Sequence, residues 1–255
     1  MYWASLAAEL RGMILEALVH EGNVAHCATV CREWQAALEK HNFHSLNLKV
    51  QDIPAFKTLG KRKLGLVRYV WYSIELQEYD CTACDLYETE ATRETNQTLV
   101  KDGLRKILYT LSGCPSSGGL TLDISVHSPS DSQHQFKYIR FEPANRPASH
   151  SVPVPTSCHD SVHTSTVSLP SITVIERIFP DIELEHEFWT SIPRIPCVTH
   201  LLLRRQTRRR WEPITLGQLL VCFPNLQELY FEPWREWGRL NQRSSDIRTC
   251  LHTAG

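Results

Sequence analysis

The chain has 255 residues, of which 42% are hydrophobic and 22% charged, and its formal net charge is -1 at pH 7. This composition supports a packed core and excludes global disorder. The near-zero charge excludes a strong field that would draw nucleic acid or an acidic membrane, and the sequence has no apolar window of about 18 residues that would predict a membrane-spanning helix.

Nine cysteines are scattered through the chain, and the first residues lack the long apolar core of a signal peptide. An odd, scattered set of thiols is typical of proteins in a reducing compartment. We therefore expect a cytoplasmic or nuclear protein.

The N-terminal residues predict a first amphipathic helix. Its apolar stripe recurs at every fourth position, at Leu6, Leu10, Ile14 and Leu18. Ser5 is the expected cap, and Gly22 with Asn23 is the expected stop signal.

A second helix is predicted directly after it, with Val30, Cys31, Trp34 and Leu38 on one face. Two short helices cannot close a core of their own. They dock either on later segments of the same chain or on another protein, and the pattern alone leaves both alternatives open.

These helices also resemble a known family. The segments SLAAEL, ILEAL and VCREW are similar to the F-box, a short helical module that begins near Leu-Pro-x-Glu-Leu and closes with Val-Cys-x-x-Trp. Residues 27–48 and 66–81 further resemble a group of fungal F-box proteins. The resemblance implies a non-catalytic substrate-recognition subunit of a Skp–cullin–F-box ubiquitin ligase, which binds a Skp-type adaptor and through it a cullin, and presents an unknown protein substrate.

The resemblance also implies which residues contact or support the adaptor. Matched position by position, they are Leu6, Leu10, Ile14, Leu15, Val30, Cys31 and Trp34. Ala7 stands where the family usually has proline. Because one small apolar contact is lost there, we expect docking to be weaker by about one kcal/mol.

After residue 42, short runs of alternating apolar residues predict strands. They lie at residues 43–48, 67–72, 120–126, 198–203 and 226–231. Helical patterns at residues 52–63, 96–113, 169–182 and 213–223 lie between them. The spacing fits a leucine-rich repeat of about 20–29 residues, although the asparagine that usually follows each strand is missing.

The predicted fold class is therefore α/β, with two parts. Residues 1–42 form a small all-α F-box-like module, and residues 43–255 form an irregular leucine-rich-repeat-like solenoid with a parallel sheet. An unrelated α/β domain with parallel strands is the alternative. Residues 143–168 are rich in Pro, Ser and Thr and predict a flexible insertion. The resemblance leaves open whether the C-terminus is a shortened form.

Three groups of cysteine, histidine, serine and aspartate residues are candidates for metal or catalytic sites. Cys81 and Cys84 have the spacing of zinc ligands, but no second close pair follows, and structural thiols are the expected role. A second group, His150, Cys158, His159 and His163, lies in the predicted insertion. The segment SVHSPSDSQH contains Ser, His and Asp without a nucleophile elbow. We therefore expect no catalytic residue, no metal and no cofactor.

An arginine run and two tryptophans predict a partner-binding edge. The residues are Arg205, Arg208, Arg209, Arg210, Trp234 and Trp237. Arginine and tryptophan dominate protein interfaces. The run is expected to form a basic rim that receives an acidic partner segment or pairs with Glu232 and Glu236. Nucleic acid is not the expected partner, because the chain as a whole is nearly neutral. The alternative role for Trp234 is to close the core of its repeat.

Two other functions remain open. A repeat-bearing interaction scaffold without ligase association would not co-purify with an adaptor. A hydrolase would lose turnover on substitution of Cys81 or His127.

Overall fold

The computed structural model describes residues 3–21, 25–115, 118–134, 171–205 and 207–233. The helices are α1 (Ala8–Glu21), α2 (Arg32–His44), α3 (Ile53–Lys57), α4 (Lys61–Leu64), α5 (Glu90–Ser112), α6 (Ile172–Ile178), α7 (His186–Ser191) and α8 (Pro213–Val221). The strands are β1 (Ser45–Lys49), β2 (Tyr69–Glu75), β3 (Leu120–His127), β4 (Asp181–Ile182), β5 (Val198–Leu203), β6 (Arg210–Trp211) and β7 (Glu228–Phe231).

All five strands predicted from alternating residues are present. They form one parallel sheet in the order β1-β2-β3-β5-β7, so the strands of this sheet lie side by side in their order along the chain. A separate parallel pair, β4 with β6, was not predicted. The fold is therefore α/β with a parallel sheet of five strands, and this part of the sequence prediction is confirmed.

The register explains why the alternating residues form this sheet. One row of facing residues runs across all five strands: Leu46, Val70, Leu122, Leu201 and Leu229. In the three central strands these side chains are fully buried. This row removes the central part of one sheet face from water, and burial of that apolar surface stabilises the sheet.

Helix α5 covers this apolar face and approaches β2 closely. The hydroxyl of Tyr72 donates to the carbonyl of Gly103 at 2.9 Å. A Cβ atom on Gly103 would lie 3.0 Å from Ile74. The helix begins at Glu90, earlier than predicted, because the side chain of Thr89 caps it by accepting from the Thr92 amide.

The N-terminal helices differ from the prediction at their ends. Helix α1 begins at Ala8, and Ser5 belongs to a preceding 3-10 turn, so Ser5 is not its cap. The predicted second helix is divided into a 3-10 turn, Ala25–Thr29, and α2. Cys31 has an extended backbone, with φ of -160°, and α2 starts only after it. Val30 and Cys31 therefore lie in the connection and not on the helix.

Helix α2 joins the N-terminal helices to the sheet. It runs to His44 and passes directly into β1. Leu38 is fully buried. The buried carboxylate of Glu39 pairs with Arg62 and with Lys63, the latter at 3.6 Å. The second half of α2 is thus fixed against the α/β part of the chain.

Two features predicted from the sequence lie in residues that the structure does not describe. The insertion at 143–168, with its histidines and Cys158, and the tryptophans at 234 and 237 lie outside the described residues. Among the helices that are described, none is both long enough and apolar enough to cross a membrane.

Candidate functional site

Helix α1 presents an apolar face to solvent. Leu10, Met13 and Ile14 are 49%, 64% and 39% exposed. Residues three and four apart are neighbours on a helix surface, so these side chains form one patch, which we name the α1 face. Grouped exposed apolar side chains mark interaction sites in soluble proteins.

A small polar cluster fixes α1 against α2 beside this face. Arg11 Nε donates to Glu33 Oε1 at 2.9 Å, and Trp3 Nε1 donates to Glu33 Oε2 at 2.9 Å. The hydrogen bonds from Arg11 and Trp3 lower the pKa of Glu33. The rings of Trp3 and Trp34 meet edge to face, with centroids 5.1 Å apart. This cluster links α1 to α2 beside the α1 face.

The residues implied by the F-box resemblance separate into three groups by exposure. Leu10, Ile14, Val30 and Cys31 are exposed, Leu6 and Trp34 are half-buried, and Leu15 is buried. The side chain of Leu15 can therefore pack behind residues that contact an adaptor, but it cannot contact an adaptor itself. Ala7 precedes α1, and its carbonyl accepts the Arg11 amide at 3.1 Å, so it caps the helix and does not lie in its first turn.

The second face of the sheet carries polar and aromatic side chains. One row of facing residues runs across it: Asn47, Trp71, Asp123, Leu202 and Tyr230. We name this the polar sheet face. Sequence reasoning missed it, because the residues between the apolar positions of each strand gave no common pattern before the register was known.

A buried carboxylate lies at the centre of the polar sheet face. Tyr69 and Arg204 both donate to Asp123 Oδ2, Arg204 at 2.5 Å. Beside it, Trp71 Nε1 donates to Ser125 Oγ at 2.8 Å. Burial raises the pKa of Asp123, while the bonds from Tyr69 and Arg204 act against that rise. Trp71 is half-buried and Tyr230 is exposed, so aromatic surface remains for a partner on both sides of this centre.

The arginine run does not lie on an exposed edge as predicted. Arg208 is fully buried and donates to the carbonyl of Asp131 at 2.7 Å. Arg209 is buried, donates to the carbonyl of Ile178 and lies 3.5 Å from Glu88.

The reason is that the chain after β5 returns along the end of β3. The amide of Arg208 donates to the carbonyl of Val126 at 3.1 Å, and Thr207 Oγ1 donates to the carbonyl of Ile124 at 2.9 Å. The arginine at 210 is half-buried and pairs with Asp181 at 2.9 Å, whereas Arg205 is exposed. Within the arginine run, only Arg205 therefore has the solvent access that the predicted edge requires.

The Ser, His and Asp of residues 125–134 lie in and after β3, where Asp131 accepts a hydrogen bond from the neighbouring loop. Asp131 is fully buried, and its two carboxylate oxygens accept from the hydroxyl of Tyr79 at 2.9 Å and from the amide of Ser128 at 3.0 Å. Burial lowers the pKa of His127 to about 4, so its imidazole is neutral at physiological pH. These bonds connect the loops that follow β2 and β3.

The same loops bring a histidine to the Cys81 and Cys84 pair. The two thiol sulfurs and one ring nitrogen of His134 all lie within 4.8 Å of one another. Sequence reasoning missed His134, because it follows a different strand and has no fixed spacing from the cysteines.

Comparisons of the chain with protein-family models, with curated proteins and with solved structures found no match. The features that bear on function are therefore the α1 face, the polar sheet face and the resemblance of the N-terminal residues to the F-box.

Proposed function

We propose that this chain is the substrate-recognition subunit of a Skp–cullin–F-box ubiquitin ligase. The α1 face binds the Skp-type adaptor, and the polar sheet face binds the protein to be ubiquitinated. The observation that carries the proposal is the exposure of Leu10, Met13 and Ile14 beside the VCREW segment. Burying these side chains in a partner contributes about 1.5–3 kcal/mol for each one that is fully covered.

The surroundings of the α1 face support this function. Arg11 and Glu33 hold α1 on α2, so docking does not have to order the helix pair first. Pre-organised surfaces bind more tightly because less conformational entropy is lost on association. Val30 is 63% exposed in the connection before α2, where the family signature places an adaptor contact.

The path of the chain supports a receptor with two binding ends. Helix α2 is fixed to the sheet through Leu38 and Glu39. A target on the sheet would therefore be held in a fixed position relative to the adaptor. No residue of this chain transfers ubiquitin in this proposal. The chain supplies proximity, which replaces much of the entropic barrier of the transfer.

The arrangement of the strands supports the finer proposal of a leucine-rich-repeat-like solenoid. The five strands follow the chain order, and an aliphatic residue occupies each position of the row from Leu46 to Leu229. Asn225 donates to the carbonyl of Pro196 at 2.9 Å, which links the turns before β5 and β7. In solenoids of this kind, each unit packs on its neighbours alone, and the exposed sheet face binds partners.

Co-expression with a Skp-type adaptor tests the proposal. The wild-type chain is expected to elute with the adaptor in size-exclusion chromatography. Leu10→Glu places a charge on the α1 face and is expected to abolish co-elution. Ile214→Glu is the matched control, because Ile214 is an equally exposed apolar residue in the first turn of α8.

Two outcomes would reject the proposal. The first is elution of the wild-type chain without the adaptor. The second is co-elution of the Leu10→Glu variant with the adaptor to the same extent as the control. Elution without adaptor, together with capture of a partner through the polar sheet face, would instead support the alternative of an interaction scaffold without ligase association. The exposed ring of Tyr230 and the half-buried ring of Trp71 on that face favour this alternative as the second candidate.

A further inference from the structure

We propose that Cys81, Cys84 and His134 form a zinc-binding site. The three potential ligand atoms already lie within 4.8 Å of one another. Cys84 and His134 are buried, and Cys81 lies at the surface. This site is independent of the proposed receptor function, because it lies beyond the carboxyl ends of β2 and β3 and shares no residue with either binding surface.

The parallel sheet brings the ligands together. Neighbouring parallel strands end at the same edge, so the loop after β2 and the loop after β3 run side by side. The amide of Leu76 donates to the carbonyl of His127 at 2.9 Å. Ser128 Oγ donates to the carbonyl of Gln77 at 2.9 Å, and the amide of Tyr79 donates to Ser130 Oγ at 3.0 Å. The backbone that leads from each strand towards the ligands is therefore fixed.

Tyr79 supports the histidine. Its ring stacks on the ring of His134, with centroids 5.3 Å apart. Its hydroxyl donates to Asp131 at 2.9 Å, and the guanidinium of Arg177 lies over the Tyr79 ring, 4.4 Å from the ring centroid. Arg177 also donates to the carbonyl of Leu86 at 3.0 Å, on the far side of the cysteine loop. Such outer contacts orient metal ligands before the metal arrives.

Asp80 shapes the turn that carries the two cysteines. Its Oδ1 accepts from the amide of Thr82 at 2.9 Å and from the amide of Ala83 at 3.3 Å. The turn places Cys84 Sγ 3.1 Å from the carbonyl of Cys81. The carboxylate also adds negative charge next to the site, which favours a bound cation.

The donor set selects the metal. Two thiolates and one imidazole suit zinc, whereas Mg²⁺ and Ca²⁺ require oxygen ligands. Three protein ligands leave the fourth tetrahedral position to water or to an added ligand. A bound zinc ion would join the two loops, and its binding would release the thiol protons.

Native mass spectrometry of the full chain, reduced and incubated with Zn²⁺, tests the site. One zinc ion per wild-type chain is expected. Cys81→Ser is the decisive variant, because Cys81 lies at the surface and its loss leaves the core packing unchanged. We expect zinc affinity to fall by at least about 100-fold, since loss of an outer contact alone costs about 10- to 100-fold. His134→Gln is expected to show the same loss.

Cys222→Ser is the matched control, because Cys222 is a buried cysteine outside the cluster. It is expected to keep one zinc ion, and circular dichroism checks that each variant is folded. Co²⁺ gives a second readout, since sulfur-to-cobalt charge-transfer absorption reports thiolate ligation directly. The proposal is overturned if the wild-type chain binds no zinc, or if Cys81→Ser and His134→Gln bind zinc as tightly as the control.

Discussion

The guanidinium of Arg204 donates to the carboxylate of Asp123 at 2.5 Å, and the hydroxyl of Tyr69 donates to the same oxygen. Tyr69 lies on β2, Asp123 on β3, and Arg204 directly after β5. One buried carboxylate therefore connects three neighbouring strands on the polar sheet face.

Replacing Asp123 with alanine is expected to destabilise the fold by about 3–5 kcal/mol, because it leaves the largely buried Arg204 without its carboxylate. Urea unfolding measures the change. Glu75→Ala is the matched control. It breaks the ion pair between Lys49 and Glu75, 2.6 Å apart on the same sheet face. This pair is much more exposed than the Asp123–Arg204 pair, so its loss should lower the free energy of unfolding by less than about 1 kcal/mol. Equal losses in the two variants would contradict this account of Asp123.

Arg208 and Arg205 are expected to respond differently to substitution. Arg208→Ala removes a fully buried side chain and its bond to the Asp131 carbonyl, and should cost about 2–4 kcal/mol. Arg205→Ala removes an exposed side chain and should change stability by less than about 0.5 kcal/mol. Thermal unfolding separates the two. Two near-neutral substitutions would instead favour the surface rim that the sequence predicted.

Two helical glycines provide a test of packing. Gly103→Ala places a Cβ atom 3.0 Å from Ile74 and should destabilise the chain by about 1–3 kcal/mol through overpacking. Gly217→Ala in α8 meets nothing within 4 Å and should stabilise the chain by about 0.5–1 kcal/mol. Chemical denaturation of both variants gives the comparison. A stabilising Gly103→Ala would show that α5 does not lie this close to β2.

The contact between α2 and α4 is expected to weaken in acid. The hydrogen bond from Gln35, followed by the bond and charge of Arg62, lowers the pKa of Glu39 below its ordinary value of 4.5. Because the folded-state pKa is the lower one, the stabilisation is present above pH 4.5 and is lost as pH falls through the folded-state pKa.

The melting temperatures of wild type and Glu39→Gln measure this effect. The wild type should melt higher at neutral pH, and the difference should shrink as the pH falls below 4.5. Glu90→Gln removes one exposed carboxylate and controls for the change in net charge. A difference that stays constant down to acid pH would rule out an ionised Glu39 as the cause.

The strands could be predicted from the sequence because their signal is local. Leu120, Leu122, Ile124 and Val126 alternate with other residues, and this period fixes both the strand and its buried face. The start of α2 was harder to predict. The pattern of Val30, Cys31 and Trp34 continues a helical face, but the extended backbone at Cys31 depends on how the preceding turn folds.

Contacts between segments far apart in sequence could not be predicted, because they depend on how the strands pair. His134 approaches Cys84 because two neighbouring strands end at one edge, which no spacing in the sequence encodes. Arginine is exposed in most proteins, so the run at 208–210 favoured a surface. Its burial follows from the return of the chain along β3, a contact between segments far apart in sequence.

Hydrogen–deuterium exchange of the chain with and without the Skp-type adaptor shows whether the adaptor binds the α1 face. We expect slower exchange in the peptides of α1 and the first half of α2 when the adaptor is bound, and unchanged exchange in β2 and β3. Slower exchange confined to the sheet, or no change in α1 at adaptor concentrations that saturate a known receptor, would contradict adaptor binding at the α1 face.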